Sequence, residues 1–271
     1  MKNSVIIRCY NTLPLIKKCL DAVIKSTDQN TEIILVNNHP PYQDVMDYLY
    51  HLNHPRVKVL DPGQNLGNVR GFDYGADHST GENLIILDDD TIVPNNNWIE
   101  VMSQSFEDFP QLAFVSLVWP AVLNRLKSTP SPPNLLFEKK EYTIRFMTNA
   151  IFIFFGCVMI KSSLWKKHFK NIKIDLPLYR IEPEYKKKAV EIGMDVGYIL
   201  SHMAEHLSRT EEADPLNGAW KVFYAFGLTQ KSYPDWRENK NSLSHVEEYS
   251  LNKFGYPQSQ ITEIKELLEG N

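Results

Sequence analysis

The chain is poor in several features that often announce a function. Cysteine is scarce, with Cys9, Cys19 and Cys157 the three thiols among 271 residues. Their spacing is neither that of a metal site nor that of a redox pair. Scattered thiols in odd number suit a reducing compartment rather than a disulfide-stapled secreted fold. No hydrophobic run is long enough to cross a bilayer as a helix: the most apolar stretch, Ile151–Ile160, is too short. Positive charge is not in excess, with 29 basic against 33 acidic side chains and a net charge of -4. No global basic field therefore draws in nucleic acid. A Walker loop is absent, and so is a Gly-x-Gly-x-x-Gly after a strand, which leaves kinase-like and dinucleotide readings unsupported. Internal repeats and low-complexity tracts are missing too. No leader pattern precedes the first strand. The expectation is a soluble cytoplasmic protein. Basic clusters at Lys166, Lys167, Lys170 and at Lys186, Lys187, Lys188 leave room for peripheral contact at the inner face of the membrane.

What is present is an ordinary globular composition, 43% hydrophobic and 23% charged, long enough for one large domain or a domain with a lobe. Its most informative stretch is Asn83-Leu84-Ile85-Ile86-Leu87-Asp88-Asp89-Asp90-Thr91. A short run of β-formers reads as a strand buried on both faces of a parallel sheet. It ends in three carboxylates at the strand's carboxyl end, where open α/β sheets bind ligands. Adjacent carboxylates repel one another unless a cation or solvent neutralises them. Oxygen ligands suit Mg²⁺ or Mn²⁺, ions that usually bridge to substrate phosphates. A solvated acidic turn is the alternative.

The same pattern recurs along the first half. Ser4–Tyr10 reads as a strand, and Asn11-Thr12-Leu13-Pro14 carries helix-start chemistry. Leu13, Ile16, Leu20, Val23 and Ile24 then fall on one helical face. Glu32–Val36 is a second strand, ending at Asn37-Asn38-His39, and a helix runs near Gln43–Leu52. Val57–Leu60 is a third strand, followed by the polar loop Asp61–Asn68 and a helix through Arg70, Phe72 and Ala76. Trp98, Ile99, Met102 and Phe106 mark a helix after the acids, with Trp98 in the core. Leu112–Val118 is another strand. Repeated strand–helix alternation predicts a doubly wound parallel sheet. Residues 124–136, rich in proline, read as a loop or flap. The alternation is lost past Tyr142, Ile151–Ile160 is strand-like, and helices are expected near Glu184–Ile192, Gly218–Thr229, Leu243–Phe254 and Ser259–Leu268.

Taken together, the order of these motifs resembles that of the family 2 glycosyltransferases. Tyr10-Asn11 after the first strand, Val36-Asn37-Asn38, Asn65-Leu66-Gly67-Asn68-Val69-Arg70-Gly71-Phe72, Gly81-Glu82, Leu87-Asp88-Asp89-Asp90 and Gly156–Lys161 carry the likeness over roughly residues 3–210. The resemblance implies an α/β GT-A fold, Rossmann-like, with a mostly parallel sheet flanked by helices. Residues 1–120 would form the half that binds a nucleotide-sugar, 121–210 the acceptor-binding and catalytic half, and 211–271 a helical C-terminal extension. It implies inverting transfer of a sugar from a nucleotide-diphosphate donor to an acceptor hydroxyl with Mn or Mg as cofactor. By family analogy the acceptor is a glycan or lipid-linked glycan in surface polysaccharide or glycan synthesis.

Residue by residue, the likeness places Tyr10, Asn11, Asn37, Asn65, Arg70, Asp88 and Asp89 against the donor. Asp90, Asp88 and His206 become the metal group. Glu182 becomes the catalytic base, with Glu184 its rival, and Trp119, Gly156 and Glu184 fall on the acceptor side. The chain departs from the family at two positions: Asn37 stands where the family has a base-contacting Asp, and Arg8 where it often has Pro. Two other readings remain open from sequence. A nucleotidyltransferase would release pyrophosphate, and a binding module would hold a sugar nucleotide without turnover.

Overall fold

The structure is a computed structural model, and it describes residues 3–40, 42–120, 123, 136–146, 156–172, 181–207, 215–225, 227–231, 233–254, 256 and 258–270. Strands and helices alternate through the first half: β1 (Asn3–Cys9), α1 (Leu13–Ser26), β2 (Thr31–Asn37), α2 (Gln43–His51), β3 (Val57–Leu60), α3 (Gly67–Asp77), β4 (Asn83–Asp88), the short β5 (Thr91–Ile92), α4 (Trp98–Asp108) and β6 (Leu112–Val118). The hairpin strands β7 (Leu136–Glu138) and β8 (Thr143–Phe146) come next, then β9 (Cys157–Lys161). A helical turn α5 (Ser162–Leu164) runs into a π turn at Trp165–Phe169. It is followed by α6 (Ile181–Glu191), β10 (Asp195–Met203) and β11 (Glu205–His206).

Nine strands form one sheet in the order β3-β2-β1-β4-β9-β6-β10-β8-β7. β9 enters antiparallel between β4 and β6, and β8 antiparallel beside β10; the other seven run one way. The continuous apolar runs are explained by burial on both faces. Val5, Ile7, Ile33, Leu35, Ile85 and Leu87 pack into one core layer with α1, α2 and α4. Their alternates Ile6, Ile34, Val36, Leu84 and Ile86 pack into the other with Phe72, Trp165 and Tyr185. Trp98 lies in the core, and its indole donates to Ser26 Oγ at 3.0 Å. The expected doubly wound sheet is therefore present but mixed, and β9 is the strand that breaks its parallel run. Residues 124–135 and 151–155, expected as flap and strand, lie outside the described residues.

A second compact unit comprises residues 175–179 and 208–271. Its helices are α7 (Pro215–Ala225), α8 (Tyr233–Glu238), α9 (His245–Phe254) and α10 (Gln258–Glu269), close to the helical extension expected there. Leu216, Trp220, Phe223, Trp236, Leu251, Ile261, Ile264 and Leu268 are among its buried side chains. A capping box starts α9: Ser244 N–H donates to Glu247 Oε2 at 2.8 Å and the Glu247 N–H reaches Ser244 Oγ at 3.4 Å.

Candidate active site

The carboxyl ends of β1, β2, β3 and β4 lie side by side in the sheet. β4 ends at Asp88, half-buried, and the chain turns there so that Asp89 and Asp90 are both buried. These two acids have different tasks. Both oxygens of Asp89 are taken by the turn after β1. Oδ2 accepts the N–H of Tyr10 at 2.6 Å and of Asn11 at 2.7 Å, and Oδ1 accepts Asn11 Nδ2 at 2.6 Å. Asp89 thus holds the Tyr-Asn turn in place.

Asp90 faces the other way. β10 continues past Met203 into β11, which pairs antiparallel with β5 so that His206 stands opposite Thr91. The Leu207 N–H closes this small ladder on the Asp90 carbonyl at 2.8 Å. The consequence is that His206, distant in sequence, is delivered to the acids. Its Nε2 lies 3.5 Å from Asp90 Oδ1 and 3.8 Å from Asp88 Oδ2. Ligand atoms of Asp88, Asp90 and His206 all lie within 4.8 Å of one another. Burial alone would pull the imidazole down, but the Asp90 and Asp88 carboxylates outweigh it and push it up to about 9. Two carboxylates and one imidazole form a donor set that fits Mn²⁺ and, less closely, Mg²⁺. Thr91 Oγ1, buried next to these side chains, has no hydrogen-bond partner among the described residues.

Trp119 and Gly156 complete this end. The Trp119 and His206 rings are 5.0 Å apart. A side chain at Gly156 would crowd them, since its Cβ would stand 3.1 Å from Trp119 Cζ3 and 3.3 Å from His206 Cδ2. The Gly156 carbonyl also accepts the Asp88 N–H at 3.0 Å.

Of the residues expected on the donor side, Asn37 ends β2 and Asn65 lies in the loop after β3. Asn37 is buried and donates to Asp61 Oδ2 at 3.3 Å, while its Oδ1 accepts the His39 N–H at 3.2 Å. His39 Nε2 meets Asp61 Oδ1 at 3.0 Å, and the Gly63 N–H reaches the same oxygen at 2.7 Å. The Gly63 N–H, ahead of His39, holds the Asp61 carboxyl below its ordinary range. Asn65 is exposed; its Oδ1 caps the Gly67 N–H at 2.7 Å, where the chain turns at positive φ into α3. Arg70 is exposed on α3. Glu182 lies in the first turn of α6, but its side chain is outside the described part of the structure, and Glu184 is exposed on that helix.

Sequence reasoning gave no role in this region to Arg8, His39, Asp61 or Thr91. Arg8 was visible as a charge inside an apolar strand, and Asp61 as the first acid after β3. The Thr91–His206 pairing had no local signal. All three thiols are buried, and burial pushes each well above its ordinary range, so they pack rather than react.

Comparisons with known proteins bear on the fold and the family. One curated relative, the glycosyltransferase GlyG of Streptococcus pneumoniae, is 31% identical over 107 residues, 39% of this chain and 35% of that protein. The match thus spans about a third of the relative's length. The mannosyltransferase PcManGT from Pyrobaculum calidifontis, solved with GDP-Man and Mn²⁺, superposes with a TM-score of 0.53 at 15% identity, covering 99% of this chain and 74% of that one. S. aureus TarS 1-349 in complex with UDP-GlcNAc gives a TM-score of 0.54 at 13% identity, covering 100% and 91%. These likenesses carry the GT-A fold. The model of glycosyl transferase family 2 matches residues 4–169, more than half of the chain, and the chain belongs to that family.

Proposed function

We propose that this chain transfers a sugar from a nucleotide-diphosphate donor to an acceptor hydroxyl, with inversion and with dependence on a divalent ion. The observation that carries the reading is the convergence of Asp88, Asp90 and His206 beside the Tyr10-Asn11 turn. Those three residues would hold Mn²⁺ or Mg²⁺. When bound, such an ion supplies Lewis-acid neutralisation of the leaving diphosphate. The remaining work falls to the protein. Tyr10, Asn11, Asn37, Asn65 and Arg70 bind and orient the nucleotide, with Asp89 holding the turn that carries two of them. Glu182 takes the proton from the acceptor hydroxyl as it attacks the anomeric carbon from the side opposite the diphosphate. Trp119, Gly156 and Glu184 line the acceptor side, and amphipathic aromatics such as Trp119 suit sugar faces.

The acceptor in this reading is a glycan or lipid-linked glycan in surface polysaccharide assembly. The site of action is the cytoplasm, with peripheral contact at the inner face of the membrane. No helix among the described residues is long and apolar enough to cross a membrane. Support for contact comes from packing of Tyr185 on Trp165, ring centroids 5.4 Å apart, which joins α6 to the π turn. Lys166, Lys167 and Lys187 are exposed on these two elements.

A thermal-shift panel of UDP, GDP, dTDP and CMP with and without Mn²⁺ tests the reading, because a ligand specific for the folded state raises the midpoint. One nucleoside diphosphate is expected to stabilise far more with the metal than without it, and Asp90→Ala to abolish that difference. A metal-dependent shift that survives Asp90→Ala removes the assigned site.

A further inference from the structure

Arg8 is a charge inside β1, between Ile7 and Cys9 of the core, with only 6% of its side chain exposed. Register explains where it points. β1 pairs with β4 so that Arg8 stands directly opposite Asp88. Its Nη2 donates to Asp88 Oδ1 at 2.6 Å and its Nη1 to the Asn68 carbonyl at 3.0 Å, while Nε has no acceptor among the described residues. The guanidinium therefore ties the first acid of the metal group to the loop that opens α3. Its aliphatic stem lies under Gly71, whose Cβ would sit 3.5 Å from Arg8 Cδ. The Tyr185 phenol on α6 is held well above its ordinary value by burial and by Asp73, with the Arg8 charge opposing both.

Burying an arginine in a strand is a poor way to add stability, since an apolar side chain does as well without the desolvation cost. The pairing also divides Asp88. One oxygen is committed to Arg8, and the other, Oδ2, is the one that faces His206.

We propose that Arg8 is a resident cation of the donor site: it fixes Asp88 by one oxygen, strengthens binding of the donor's diphosphate through its positive field, and opposes a divalent ion beside Asp88. This rests on the nucleotide-sugar reading above. It makes a prediction of sign that scaffolding does not. Removing a purely structural arginine loosens the site for every ligand. Removing a resident cation loosens the anion and tightens the metal.

The test uses the full chain and two separate probes: inorganic pyrophosphate without metal, followed by calorimetry, and Mn²⁺ without nucleotide, followed by the spin resonance of the free ion. Arg8→Gln keeps a hydrogen-bond donor and loses the charge. It is expected to weaken pyrophosphate by about tenfold and to tighten Mn²⁺ by about threefold or more, the size expected of one charge acting across a partly buried site. Arg8→Lys keeps the charge and loses the two-pronged hold; both affinities are expected to stay within about threefold of the wild type. If Arg8→Gln does not fold, Arg8→Met is read the same way. Weakening of both probes in a folded neutral variant overturns the inference, as does no change in either. A tenfold loss of pyrophosphate in Arg8→Lys overturns it as well, because geometry rather than charge would then be responsible. A wild-type chain that binds no nucleotide even with Mn²⁺ defeats the underlying reading; normal metal-dependent binding with an indifferent Arg8→Gln defeats this inference alone.

Discussion

His206 Nε2 stands 3.5 Å from Asp90 Oδ1, so that a protonated imidazole takes the position of a counter-ion to the acids. The two roles of this histidine, cation and metal ligand, exclude each other, because a ligating imidazole must be neutral. With the ring pushed up to about 9, Mn²⁺ must displace a proton at neutral pH. Mn²⁺ affinity is therefore expected to rise about tenfold per pH unit between roughly pH 6.5 and 8.5. His206→Gln should bind more weakly and lose that slope. The metal-free chain behaves oppositely. The folded value of about 9 exceeds the unfolded one, near 6.5, so the stabilisation is complete below about pH 6.5 and fades as pH rises through 9. Urea midpoints of wild type and His206→Gln across that range check the sign; a gap that widens with pH contradicts it.

Asp89 and Asp90 adjoin in sequence and are expected to separate cleanly on mutation. Asp89 accepts three hydrogen bonds from the turn after β1. Asp89→Ala takes away the acceptor of three hydrogen bonds at the half-buried Tyr10-Asn11 turn and should cost about 1–3 kcal/mol in urea denaturation. Asp90→Ala relieves repulsion among the crowded carboxylates but also removes the main attraction on the His206 imidazolium; its metal-free cost should be smaller than that of Asp89→Ala and should fade as pH rises toward 9. The metal-dependent thermal shift should vanish in Asp90→Ala. Equal destabilisation by the two substitutions would contradict the division of labour.

Helix α6 begins at Ile181, which places Glu182 in its first turn and Glu184 just beyond. Glu182→Ala is expected to lower turnover by about 10²–10⁴-fold with nucleotide binding unchanged. Glu184→Ala should raise the acceptor KM and leave kcat within a few-fold. If Glu184→Ala shows the large kcat loss and Glu182→Ala does not, the two roles exchange.

Much of the first half was legible in the sequence because β1, β2, β4 and β6 are buried on both faces, and such strands are continuous apolar runs whatever surrounds them. The acids were legible for the same reason: polar groups that end a run like Leu84–Leu87 have one place to go. The second half was harder. β7 and β8 are short strands at one end of the sheet. β10 is interrupted by Gly197 and by Ser201 and His202, so none of the three forms a run. The β9 insertion could not be foreseen, since an apolar segment carries no sign of strand direction. His206 was found only through the family likeness. The β5–β11 pairing that delivers it is two residues long, shorter than any periodicity can register. Arg8 was noticed as a departure, but its partner Asp88 is set by register across two strands far apart in sequence.

The exposed lysines of α6 and the π turn give a separate handle on membrane contact. A Lys or Arg near an anionic bilayer contributes about 1 kcal/mol, roughly a fivefold change in partitioning. Replacing Lys166, Lys167 and Lys187 together by Gln should lower binding to vesicles containing phosphatidylserine by about a hundredfold at low salt. Neutral phosphatidylcholine vesicles should not distinguish the variant from wild type. Sugar transfer to a water-soluble acceptor should be unaffected. Vesicle binding that persists in the triple variant would separate this face from the membrane.

Asp73 supplies the last prediction, since it is a carboxylate in an unfavourable place. It sits on α3 with 7% of its surface exposed. Oδ2 accepts the Asn171 N–H at 3.2 Å, and Oδ1 has no hydrogen-bond partner among the described residues. Burial outweighs the Asn171 N–H and raises the carboxyl to about 6. For an acid displaced upward the sign is the reverse of the usual one. The folded state binds the proton more readily than the unfolded chain, whose aspartates titrate near 3.9. Stability is therefore reduced above about pH 6 and recovers as pH falls from 6 toward 4. Asp73→Asn keeps the shape and an acceptor for Asn171 and removes the charge. It should stabilise the chain by about 1–3 kcal/mol at pH 7.5, the equivalent of a shift of up to roughly two pKa units. That gain should shrink as the pH is brought to 4.5. Chemical denaturation of both proteins at the two pH values decides the matter. Destabilisation by Asp73→Asn at pH 7.5 would mean that the charged carboxylate is an attractive partner to its surroundings rather than a strained one.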